Sequence, residues 1–228
     1  MGTTSDDAIR IDRIIRSKRK TISLIVTQDA DLVVRAPLRT SVAYINDLVI
    51  RKRAWILQKK AEMSSIPAYT GKQFVEGEEF LLLGNPYPLR ISGSILPSVE
   101  LGDCLVVRTP SAKAIPGMLA GWYRLQAQTF IVPRCEALAR ETGHAPSAIR
   151  ISHASRRWGS CSTKGTVSFS WRLVLAPQEI IDYVIVHELA HLAHHNHSPR
   201  FWSRVRELMP DYRERKEWLR RHERVLCL

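Results

Sequence analysis

Residues 177–202 read PQEIIDYVIVHELAHLAHHNHSPRFW, and this stretch decides how the chain is built. Pro177 is preset for the first position of a helix, and Glu179 complements the positive end of the helix dipole. Ile180, Ile181, Val184 and Ile185 place apolar residues at helical spacing, so the following His187-Glu188-Leu189-Ala190-His191 lies inside a helix. There His187 and His191 stand one turn apart on one face, near enough for both imidazoles to bind one ion at the ~2.0–2.1 Å zinc–nitrogen distance. Glu188 is offset by one residue, so its carboxylate reaches an activated water without being a ligand. That offset is the mechanical basis of the HExxH pattern of zinc hydrolases.

Two histidines leave such a site one ligand short, because a catalytic zinc normally takes three protein groups and a water. On a continuing helix His194 and His195 would sit about 10–12 Å beyond His187, too far to share its ion. The chain must first turn back, and Asn196 tolerates the left-handed conformation that closes a helix. His197 comes ten residues after His187, the spacing of HExxHxxGxxH sites, with His194 standing where those have glycine. His187, His191 and His197 are therefore the candidate metal ligands and Glu188 the candidate catalytic residue. The bland alternative is an amphipathic helix with incidental histidines. Against it stand the apolar setting and the usable third histidine, since buried imidazoles without a metal carry a desolvation cost. His144, His153 and His222 stand alone and read as structural, as does Cys161 in a Gly/Ser loop.

Outward from this helix, composition bounds the rest. The chain has 228 residues, 45% hydrophobic and 25% charged, which excludes disorder and a disulfide-dense miniprotein. There are 34 Lys and Arg against 22 Asp and Glu, a net charge of +12 that favours contact with polyanions or anionic substrates. No run approaches the ~18 apolar residues of a membrane helix, and residues 1–7 (MGTTSDD) lack the basic-then-apolar pattern of a signal peptide. These features predict a soluble, cytoplasmic protein with no membrane partner. Cys104, Cys135, Cys161 and Cys227 form no CxxC and read as reduced structural thiols.

The order of patterns is strands first and helices later, which predicts an α+β chain. Residues 21–26 and 32–35 are β-branched runs joined by Thr27-Gln28-Asp29-Ala30-Asp31, hairpin chemistry. Residues 41–61 have a helical period with Ser41 as N-cap. Between Gly71 and Gly102, short apolar runs separated by Gly and Pro predict antiparallel strands. Residues 118–141 are helical but contain Pro133, expected to end or kink the helix. Residues 148–153 predict a strand, 156–165 a polar loop and 166–175 a strand passing into a helix. The composition shift near Ala112 divides the chain into 1–111, β-rich with one helix, and 112–228, the metal-binding catalytic domain.

Four stretches carry a family resemblance: Arg157-Trp158-Gly159-Ser160-Cys161-Ser162; Val167 to Trp171 with Arg172-Leu173-Val174-Leu175-Ala176-Pro177; the helix with Tyr183 and the HExxH motif; and Asn196-His197-Ser198-Pro199-Arg200-Phe201-Trp202. With Arg16-Ser17-Lys18-Arg19-Lys20-Thr21 near the start, the chain resembles the YgjP-like metallopeptidase family, related to the SprT and WLM metalloproteases. The resemblance implies a zincin-like helical C-terminal half behind a β-containing N-terminal half. It also implies His187, His191 and His197 as zinc ligands and Glu188 as the catalytic glutamate. Arg157 and Trp158 are candidates for the pocket wall.

The leading reading is thus a metallopeptidase holding one Zn2+ or another divalent ion, with Glu188 as general base toward a metal-activated water. Arg157, Tyr183 and Tyr212 are candidates to stabilise the oxyanion. An alternative keeps the site and changes the electrophile to phosphorus, making a nucleotide pyrophosphohydrolase suited to the excess of cations, although no phosphate-cradling glycine loop is visible. A third reading adds nucleic acid as partner through Arg10, Arg13, Arg16, Lys18, Arg19, Lys20 and residues 51–53. The C-terminal cations alternate with acids and read as a paired, solvated helix face.

Overall fold

The two β-branched runs pair as predicted: β2 (Ser23–Val26) lies antiparallel to β3 (Leu32–Pro37) in the computed structural model, which describes residues 9–27, 29–64 and 71–228. The first seven residues and Gln28 of the hairpin turn lie outside the described residues. On the other edge of β3 runs β1 (Arg13–Ser17), parallel to it and exposed along its whole length. This strand was not expected, because its Arg-Ile-Ile-Arg-Ser sequence reads first as a basic cluster.

Period 2 in β3 puts Leu32, Val34 and Ala36 on one face, where they meet Ile45, Val49 and Ile56. These belong to α1 (Val42–Arg51) and α2 (Arg53–Ser64), which replace the single expected helix. Ser41 caps α1, its Oγ accepting from the Tyr44 N–H at 3.2 Å. Lys52 leaves the helical region at φ −101° and ψ 13°, yet the Ile56 N–H still donates to its carbonyl at 3.0 Å. The apolar period therefore runs across the break and hides it. Ile45 and Ile56 are fully buried, a gain of about 2 kcal/mol each by transfer from water.

The chain divides into two units, Met1–Tyr69 and Thr70–Leu228. The expected boundary at 111/112 falls inside the second. There β4 (Glu79–Leu82), β5 (Asn85–Ser92), β6 (Ser98–Leu101) and β7 (Leu105–Arg108) form a sheet of order β4-β5-β7-β6. Its central pair, β5 and β7, is parallel where antiparallel pairing was expected. Phe80, Leu82, Leu89, Leu105 and Val107 from this sheet share one core with the helices that follow. A composition shift thus marks a change of secondary structure and not a change of core.

Next comes α3 (Ile115–Thr142), which runs through Pro133 without ending. Proline removes one i→i−4 hydrogen bond. Packing outweighs that loss: Leu119, Tyr123, Ala127, Ile131, Cys135, Leu138 and Ala139 form a buried stripe on both sides of it. A second sheet, of order β8-β10-β9, contains β8 (Ala148–Ser152), β9 (Gly159–Cys161) and β10 (Thr166–Ser170), with β9 lying inside the stretch expected as loop. A 3-10 turn over Trp171–Leu175 leads into α4 (Gln178–Ala190), followed by α5 (Pro199–Leu208) and α6 (Tyr212–His222). The architecture is α+β, β-rich in its first half and helical in its second. Among the described residues no helix is long and apolar enough to cross a membrane.

Two contacts fix α4. The turn between β4 and β5 seats on its start, with Leu83 N–H donating to the Val174 carbonyl at 2.8 Å and Gly84 N–H to Leu175 at 3.2 Å. Gly84 has φ +81°, and a β-carbon there would fall 2.7 Å from Pro177 Cγ, so this approach requires glycine. From α3, Arg134 Nε and Nη2 donate to Asp182 Oδ1 and Oδ2 at 2.7 and 2.8 Å, a bidentate pair with its carboxylate buried.

Candidate metal centre

Along α4 nearly every residue from Ile180 to Ala190 is buried, which explains the unbroken apolar run around the motif. His187 sits in the last turn and His191 is the C-cap, with φ −69° and ψ −17°. The backbone then turns through residues 191–196 to α5. Asn196 is not left-handed, contrary to expectation. Its side-chain Oδ1 instead accepts from the Ser198 N–H at 3.3 Å, shaping the turn by an Asx hydrogen bond. Ser198 caps α5 by accepting from the Phe201 N–H at 3.4 Å, with Pro199 at the first position. His197, just before this cap, is carried back over α4.

The result is a convergence of three imidazoles. One nitrogen from each of His187, His191 and His197 lies within 4.8 Å of the others, and the Nε2 atoms of His187 and His197 are 3.0 Å apart. His194 contributes its backbone and not its ring: His191 Nδ1 is 2.9 Å from the His194 carbonyl. A carbonyl only accepts, so Nδ1 carries the proton and Nε2 keeps its lone pair, the arrangement outer-shell carbonyls impose on metal-binding histidines. Burial, reinforced by His191 and His197, pushes His187 down to about 3, so its ring is neutral. Its Nδ1 is buried without a hydrogen-bond partner. Burial also lowers His191. Three imidazole nitrogen donors with no carboxylate among them fit a borderline cation such as zinc better than calcium or magnesium.

Aromatic rings back the cluster. Phe201, fully buried, stacks on His191 at 4.4 Å and meets His187 and His197 edge-on, each at 4.9 Å. Trp202 stacks on His197 at 5.5 Å. Sequence reasoning gave these two residues no role in the site, although their place four and five residues after His197 in a capped helix signals it.

Glu188 is 6% exposed, and burial pushes its carboxyl up to about 7, with the Arg157 guanidinium opposing. Its side chain lies against β9: a β-carbon on Gly159 would meet Glu188 Cγ at 2.5 Å and Oε1 at 2.6 Å. Glu188 and His187 open onto one cleft of about 200 Å3 lined also by Trp158, Gly159, Tyr183, Val184 and Leu219. Trp158 is thus a wall residue. Arg157 is exposed and not part of the lining, but its charge reaches Glu188. Tyr183 is buried beside His187, ring centroids 5.9 Å apart, and burial raises its phenol. Tyr212 is not among the residues lining this cleft; it stacks on Trp202 at 5.4 Å, with its phenol oxygen accepting from Arg213 Nε at 3.3 Å.

Of the N-terminal cations, several serve the fold of their own unit. Arg16 Nη1 donates to the carbonyls of Leu38 and Thr40 at 3.2 and 2.5 Å, and Arg51 pairs with Asp47 at 3.0 Å.

Three imidazole nitrogens this close together can hold a divalent metal ion. Over residues 20–222 the chain matches the YgjP-like metallopeptidase domain, and it belongs to that family. No curated protein matches it. Among solved structures, the metallopeptidase zymogen of Pyrococcus abyssi abylysin is similar at 24% identity and a TM-score of 0.37, covering 40% of this chain and 91% of that one.

Proposed function

We propose that the protein is a peptidase in which His187, His191 and His197 hold one zinc ion and Glu188 is the general base. The observation that carries this is the meeting of three imidazole nitrogens within 4.8 Å beside a carboxylate on the same cleft. A bound zinc ion supplies Lewis acidity, polarising a carbonyl and making water acidic near neutral pH. Glu188, raised by burial to about 7, is matched to take a proton from that water and return it to the leaving amine. Gly159 leaves the carboxylate its place, Trp158 and Leu219 offer apolar surface to a substrate side chain, and Tyr183 or Arg157 faces the developing negative charge.

Hydrolysis of a nucleotide draws less support from this cleft, since none of its described lining residues is Lys or Arg. The test is direct. Zinc-loaded protein is incubated with an unfolded protein and, separately, with nucleoside triphosphates, with Glu188→Gln as control. Cleavage of the polypeptide that disappears in Glu188→Gln is the expected result. Phosphate release that disappears in Glu188→Gln, without proteolysis, overturns the reading.

A further inference from the structure

The C-terminal cations are not uniformly paired. Arg204 pairs with Glu207, Arg215 with Asp211, and Arg220 and Arg221 both with Glu217. Lys216 and Arg213 make no ion pair among the described residues. Positions 213, 216 and 220 recur at three and four residues on α6, so they share one stripe. This stripe borders a cleft of about 350 Å3 lined by Trp202, Tyr212, Arg213, Lys216, Glu217 and Arg220.

Trp202 connects this cleft to the histidine trio. Its ring centroid is 5.5 Å from that of His197 and 5.7 Å from that of His187, while Lys216 Nζ stands 4.3 Å from its ring. Among the described lining residues the only carboxylate is Glu217, which takes Arg220 Nε and Nη2 at 2.8 and 2.6 Å and Arg221 Nε at 2.9 Å. Arg213 donates to the Tyr212 phenol oxygen. The cleft therefore has an aromatic wall, two cations without a counter-ion among the described residues and one carboxylate already held, one ring away from the proposed metal.

We propose that this cleft is a subsite for an Asp or Glu side chain of the substrate, its carboxylate bound by Lys216 and Arg213 and its methylenes against the part of Trp202 that lines the cleft. The proposal rests on the peptidase reading of the neighbouring site. A carboxylate on a short flexible stem suits two separate cations beside the indole surface that lines the cleft, which supply charge and apolar contact together. A phosphate chain would meet no cradle of backbone N–H groups here. One charge-assisted contact of this kind discriminates by on the order of tenfold.

The experiment uses two synthetic peptide pools of the same random design, blocked at both ends so that no terminal carboxylate competes. One contains Asp and Glu; in the other Asn and Gln replace them. Zinc-loaded full-length protein is expected to cleave the acidic pool with kcat/KM about tenfold above the amide pool, with acids enriched at one fixed distance from the cut. In Lys216→Glu that ratio falls below one, and in Arg213→Gln it falls partway. Binding of the labelled pools to Glu188→Gln protein is measured in parallel. Cleavage without acidic preference, or a preference unchanged in Lys216→Glu, overturns the subsite and leaves the peptidase reading standing. Tighter, Lys216-dependent binding of the acidic pool without cleavage of either pool by the wild type supports the subsite and overturns the peptidase reading. Neither cleavage nor preferential binding overturns both.

Discussion

A β-carbon on Gly159 would lie 2.5 Å from Glu188 Cγ, so the edge strand β9 presses its bare backbone against the carboxylate proposed as general base. The strand thereby fixes where that carboxylate stands. The glycine is required by space and not by backbone conformation, since no left-handed φ is involved.

Gly159→Ala should displace Glu188. A shift of about 1 Å in a catalytic group costs on the order of a hundredfold in rate. The expected outcome is a loss of that order in kcat with unchanged metal content, measured by peptide cleavage alongside metal analysis. Wild-type kcat in the variant would contradict the packing described.

The Arg134–Asp182 pair should respond unequally to its two halves. The Asp182 side chain keeps 11% of its surface in solvent, the Arg134 side chain 32%. Arg134→Met leaves a buried carboxylate uncompensated and should cost about 3 kcal/mol. Asp182→Asn leaves a guanidinium that can reach water and should cost about 1–2 kcal/mol. Denaturant titration of both variants gives the order, and a reversed order would show that the charge pair is not what holds α4 to α3.

Acid stability should carry a small contribution from Glu217. The hydrogen bonds from Arg220, with Arg221 adding to them, hold its carboxyl down at about 2 against an ordinary 4.5. A carboxyl lower in the folded state stabilises the fold above the ordinary value and loses that effect as pH falls from 4.5 toward 2. The side chain is 41% exposed, so solvent screening keeps the contribution below about 1 kcal/mol. The stability difference between wild type and Glu217→Gln should be present at pH 6 and vanish near pH 2. A difference that persists at pH 2 would assign it to packing.

The helix around His187 was legible because local chemistry and tertiary burial agree there: proline at the start, acid in the first turn and apolar residues throughout. The convergence of His197 followed from counting residues along a helix axis. How the chain turns was not legible, since Asn196 acts through its side chain and His191 already closes the helix. Elsewhere sequence patterns misled where long-range packing decides. Pro133 stays inside α3 because residues on both sides of it enter one core. The apolar period continues across Lys52 and conceals a break. Strand pairing within residues 79–108 sets which core those strands join, and composition along the chain carries no record of that. The motif around Gly159 gives no sign of its role, which is an absence of atoms beside a residue 29 positions away.

The most direct test of the metal centre is the divalent metal content of purified protein after zinc loading and desalting, with His197→Ala alongside. One ion per chain in the wild type, its loss in His197→Ala and a rise in melting temperature with zinc only in the wild type are the predicted results. A wild type that holds no zinc, or a His197→Ala variant that holds it equally well, would contradict a site built from His187, His191 and His197.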